Sequence, residues 1–241
     1  MNLFILFANA LFDPGAAIRD ATRQPRPVLV GAIGLGMVCV LGLATLPRQL
    51  SLLASALAPA GDVLRDMHHA AMRSGLLRVV IADRLVPPPT VVLAGVILAV
   101  AAEPVLALAG ERRGAIWTVA LLGMTPLIAQ RAGELAVTYL AAVGSLPTPG
   151  EAVALPQRFS TGPLLLWGAG EAPAWLVSLS QRLDLITFWC LVPWTIGLRE
   201  LDGRRLASWH VVLPLTSLAF GGLATWWLAP LATSALLGPP Q

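Results

Sequence analysis

PVLVGAIGLGMVCVLGLATL, residues 27–46, sets the class of this fold. Arg26 precedes the stretch, Pro47-Arg48 follow it, and the twenty residues between carry no charge. A helix rising ~1.5 Å per residue covers about 30 Å over that length, the thickness of a bilayer's hydrocarbon core. The stretch therefore reads as a membrane-crossing helix. Ala32 and Gly36 stand four apart on one face, where a second helix can approach closely.

Composition agrees. Of 241 residues, 56% are hydrophobic and 12% charged, and mean hydropathy is +0.75. Soluble domains carry about 25% charged residues. All 16 basic residues are arginine, which reads as codon bias in a GC-rich, bacterial genome. The net charge of +3 is spread over the loops and argues against a nucleic-acid surface. Cys39 and Cys190 fall inside apolar stretches and read as packing residues rather than a disulfide framework. Met1–Leu11 is apolar but lacks a basic leader region, so it is not read as a cleaved signal peptide.

Four further stretches extend the pattern into an all-α integral membrane bundle of five transmembrane helices in a single domain, residues 1–241. They cover residues 88–109, 115–135 with Pro126 as a kink, 185–198, and 207–227. In the last, Trp209 and Trp226 are 17 residues apart, about 25 Å along a helix, placing one indole at each membrane face. Residues 1–26 form an interfacial N-terminal segment. Within it, Asp13-Pro14 is an N-cap followed by proline at the first helical position, and Pro25 and Pro27 end the helix. Residues 61–85 alternate apolar and charged positions at helical spacing and read as an amphipathic helix on the outer surface. Residues 147–173 hold five prolines and four glycines and read as an irregular loop anchored by Trp167 and Trp175.

Arginine density orients the bundle. Arg19, Arg23 and Arg26, then Arg112 and Arg113, then Arg199, Arg204 and Arg205 occupy short segments on one side, whereas the other side's arginines sit in long connections. Short basic loops stay inside, so the N-terminus is cytoplasmic and the C-terminus outside, in a bacterial inner membrane.

The candidate polar sites are Asp184, Glu103, Arg131 and Arg182. The 14 uncharged residues Leu185–Leu198 span only about 21 Å as a helix, so either the bilayer is thinned there or Asp184 is drawn below the headgroups and needs a partner. It is expected to pair with Arg131 or Arg182, or to cap the helix. Glu103-Pro104 lies inside the second span, where the carboxylate is expected to pair with Arg112 or Arg113. Arg131 and Glu134, three apart, are expected to form a helical ion pair on the rim of the bundle. His68-His69 point about 100° apart on a helix and are a poor metal pair. His210 reads as an interfacial residue. The sequence contains no HExxH, CxxC, GxSxG or Gly-rich phosphate loop. The chain is accordingly read as non-catalytic, with no catalytic, cofactor-binding or metal-binding residues.

The chain resembles the Yip family of membrane proteins, in its bacterial branch. Leu11-Phe12-Asp13-Pro14 with Ile18, Arg19 and Pro25 resembles that branch's entry helix, and Ile116–Ile128 with Pro126 is similar to its third span. The Arg182–Trp189 segment, followed by Ile196-Gly197-Leu198, resembles the family's leucine-aspartate-aromatic-tryptophan motif and its following glycine. The resemblance implies five spans and a cytoplasmic N-terminus. It supplies no catalytic residue, and no GTPase-binding motif of the eukaryotic relatives is present. The expected function is a scaffold or accessory subunit binding other membrane proteins or lipids. The alternative is a transporter or permease component with a polar path near Glu103 and Asp184.

Overall fold

The computed structural model describes residues 3–57, 66–67, 69–70, 73, 75–78, 80–81, 89–106, 111–142, 152, 155, 185–203 and 206–237. Regular structure among the described residues is helical, with no strand. In chain order the helices are α1 (Leu3–Phe12), α2 (Pro14–Arg23), α3 (Pro27–Ala56), α4 (Pro89–Val105), α5 (Glu111–Leu122), α6 (Pro126–Leu140), α7 (Leu185–Trp189), α8 (Leu191–Asp202) and α9 (Trp209–Leu237). Of the five expected spans, α3 alone among the described residues is both long and apolar enough to cross a membrane. Thr90–Val105 and Trp209–Thr225 are shorter apolar helices.

Two compact units make up the chain. The first comprises Met1–Met37, Pro88–Ala129 and Ser160–Trp227, and the second Val38–Pro87, Gln130–Phe159 and Leu228–Gln241.

In the first unit, α2 starts as the sequence predicts. Asp13 Oδ1 accepts the Ala16 N–H at 3.1 Å, with Pro14 in the first turn. Its apolar side, Ala17, Ile18 and Ala21, is buried, and the helix packs against α1, α5 and α8. The apolar side of this N-terminal helix is thus covered by protein. Arg19, Asp20 and Arg23 remain exposed.

The third expected span is two helices, not one kinked helix. Pro126 has no N–H to give the Leu122 carbonyl, so the chain tightens before it. Met124 N–H turns to Leu121 O at 3.1 Å and Thr125 N–H to Leu122 O at 3.0 Å. Ala120 O is thereby left without its i+4 donor. The fourth stretch breaks for the same reason: Pro193 cannot serve Trp189 O, so α7 ends there and α8 restarts at Leu191.

Trp194 joins the two breaks. Fully buried, it donates from Nε1 to Ala120 O at 3.0 Å and fills the orphan position. The indole sits against Gly123, where a Cβ would stand 2.1 Å from Trp194 Nε1. At Gly197, a Cβ would meet Val119 Cγ1 at 2.2 Å. Backbone-close packing through glycine therefore seats α8 on α5.

α9 lies on α4 by the same device. A Cβ at Gly221 would fall 2.5 Å from Thr90 O, and the Thr90 and Thr225 hydroxyls meet at 3.0 Å. The buried stripe of α9 is His210, Pro214, Ser217, Leu218 and Gly221, whereas Val211, Val212, Leu215, Phe220 and Leu223 are exposed.

In the second unit, Leu52 and Leu53 form a core with Val80, Ala152 and Leu155, and Leu76 and Leu77 pack against it. The described residues between 66 and 81 are helical, as the alternation over 61–85 predicts. Tyr139 OH donates to Ala44 O at 3.1 Å and Arg48 Nη2 to Ala141 O at 2.5 Å, holding α3 to the end of α6.

Two glycines test this packing in opposite directions. Gly123→Ala drives a methyl into the indole and is expected to cost about 1–3 kcal/mol. Gly36 has nothing within 4 Å, so Gly36→Ala should stabilise the helix by about 0.5–1 kcal/mol. Thermal unfolding of both variants in one detergent checks the contrast.

Candidate functional site

Glu103 stands in the last turn of α4, opposite α5. Arg113 and Trp117 are four residues apart on α5, which puts both on one face, and α4 packs on that helix. Trp117 Nε1 donates to Glu103 Oε1 at 2.9 Å, and Arg113 Nε lies 3.7 Å from Glu103 Oε2. Of the two expected partners, Arg113 is the one engaged; the Arg112 side chain lies outside the described residues. The indole is a partner that charge counting missed. Its signal was the four-residue spacing from Arg113.

Arg131 and Glu134 pair as expected, Nη1 to Oε2 at 2.7 Å. They do not form a solvated rim: the side chains are only 5% and 10% exposed. Thr138, one turn on, adds a hydroxyl bond to Glu134 O at 2.7 Å. This pair belongs to the second unit and Glu103 to the first. Asp184 and Arg182 lie outside the described residues, as do His68 and the 147–173 loop except Ala152 and Leu155.

His210 overturns its interfacial reading. It is fully buried, with Nδ1 accepting the Ala207 N–H at 2.9 Å. The ring proton then sits on Nε2, which is 3.2 Å from Asp202 Oδ2. Trp209 stacks on it at 4.0 Å between ring centroids and takes the half-exposed position instead. The histidine thus ties the end of α8, where Gly203 adopts φ 68, to the start of α9. A helix stop at Asp202-Gly203 with a histidine in the next first turn was the overlooked signal.

Chemically, these groups are engaged with one another. Among the described residues no three His, Cys, Asp or Glu side chains come together as a metal site. Cys190 is buried, its Sγ 3.5 Å from Ile186 O. No family model, curated protein or solved structure matches this chain.

The two carboxylate sites predict different losses. Glu103→Gln still accepts from Trp117 and gives up only a pair with a largely exposed arginine, so its cost should stay under ~1 kcal/mol. Arg131→Gln leaves Glu134 buried beside a neutral partner and should cost about 3–5 kcal/mol, with the Arg131→Gln/Glu134→Gln double variant recovering much of it. Unfolding midpoints of the three proteins in detergent decide this.

Proposed function

We propose that this chain is a non-catalytic, multi-pass helical membrane protein of the bacterial inner membrane, a scaffold or accessory subunit that binds other membrane proteins and lipids. The observation that carries the reading is the unfilled small-residue face of α3. A Cβ at Gly31 would meet Leu121 at 3.0 Å and one at Gly34 would meet Phe7 at 3.1 Å, so those glycines serve the chain's own packing. Gly36 has no neighbour within 4 Å among the described residues, and Ala32, one turn earlier, is exposed. Small residues that admit a close helix, with no described helix of the chain against Gly36, suit a partner helix.

The polarity of α9 supports the membrane setting. It buries small and polar groups and exposes valine, leucine and phenylalanine, the reverse of a water-facing helix. Five crossings, a cytoplasmic N-terminus and kinship with the bacterial Yip branch belong to the same proposal. The transporter reading is weaker, because both Glu103 oxygens are occupied by Trp117 and Arg113.

Gly36→Leu and Ala32→Leu fill open space, so melting should be unchanged while proteins co-purifying in mild detergent are lost. An unaltered set of partners in both variants would reject the scaffold reading. Topology is checked with both native cysteines replaced by alanine. Ser208→Cys should then label only from the cytoplasm and Gly150→Cys only from outside; labelling of both from one side overturns the orientation.

A further inference from the structure

Among its described residues, the first unit gathers five exposed arginines, of which two face carboxylates. Arg19, Arg23 and Arg26 are exposed on and just after α2, Arg113 on α5, and Arg199 in the last turn of α8. Two contacts place these segments side by side. Arg19 Nη1 is 3.9 Å from Glu200 Oε1, next to Arg199, and a Cβ at Gly114 would lie 3.5 Å from Pro25, between Arg113 and Arg26. α2 packs against both α5 and α8, which also touch each other.

Four of the described acids in these helices are already committed. Glu200 faces Arg19, Glu103 faces Arg113 and Trp117, Asp13 caps α2, and Asp202 faces His210. Arg23, Arg26 and Arg199 have no carboxylate within ion-pair distance among the described residues, and Asp20 is the exposed acid that remains beside them. The cationic segment is bracketed by apolar side chains, Phe12 at 88% exposure and Val28 at 85%. Unpaired guanidinium groups between exposed apolar anchors match a phospholipid surface: the anchors enter the acyl boundary while the arginines meet the phosphates.

We propose that Arg23, Arg26 and Arg199 form a binding surface for the phosphate groups of anionic phospholipids at the edge of the first unit. The proposal rests on the membrane reading above and adds headgroup selectivity to it. Guanidinium groups donate to phosphate oxygens in a fork, and the excess positive charge favours anionic over zwitterionic headgroups.

The test uses the full chain reconstituted into phosphatidylcholine nanodiscs containing a minority of phosphatidylglycerol, with annular lipid quantified after extraction. The wild type should enrich phosphatidylglycerol at low salt and lose the enrichment at high salt. The preference should fall about fivefold per arginine removed, and on the order of a hundredfold in Arg23→Gln/Arg26→Gln/Arg199→Gln. Asp20→Asn should raise it, and Arg113→Gln, which removes an already paired arginine, should change it least. Equal retention of the two lipids by the wild type, or unchanged enrichment in the triple variant, overturns the proposal while leaving the membrane reading intact. Failure of the wild type to enter phosphatidylcholine nanodiscs at all rejects both.

Discussion

The hydrogen bond from Trp194 to the Ala120 carbonyl holds the first unit's central packing together. Pro126 shortens the helix before it and strips Ala120 O of its helical donor, and in an apolar interior an unsatisfied carbonyl costs about 1–3 kcal/mol. An indole N–H is the group that answers this cheaply, since its ring is apolar everywhere else. The ring can reach the carbonyl only because Gly123 leaves room for it. Proline, glycine and tryptophan on two separated segments thus form one device: proline opens the backbone, glycine clears the approach and tryptophan closes the bond.

The same logic recurs where α9 meets α4. Gly221 lets the backbones approach and Thr90 with Thr225 supplies a hydroxyl contact. On the proposed membrane reading, apolar side chains gain nothing by leaving one apolar solvent for another, so close packing and polar contacts between helices carry the association. The chain accordingly spends its glycines, threonines and buried ion pairs on internal contacts. Val211, Val212, Leu215 and Leu223 on α9 are left to face outward, whereas Leu218 is buried.

That division also separates the surfaces offered to partners. The open Gly36 face is apolar and sterically permissive, suited to a helix. The edge formed by α2, α5 and α8 is cationic and bracketed by large apolar groups, suited to headgroups.

The sequence by itself determined the helical class, the cap at Asp13, the apolar helix beginning at Pro27 and the pairing of Arg131 with Glu134, because each depends on local spacing or on a short run of hydropathy; for Glu103 it left Arg112 and Arg113 open, and the packing of α4 on α5 engaged Arg113 and added Trp117. It located Pro126 but not the consequence, for whether a proline kinks or ends a helix depends on what receives the freed carbonyl. Here the receiver is Trp194, 74 residues away in the chain. The burial of His210 was signalled only by the helix stop at Asp202-Gly203: an interfacial histidine and a buried one are otherwise alike in sequence, and the turn at Gly203 is what brings the ring to Asp202. Tertiary structure also chose among the glycines of α3. Gly31 and Gly34 receive Leu121 and Phe7, and Gly36 is left open, because which face of a uniformly apolar helix meets its neighbours is set by those neighbours rather than by the helix.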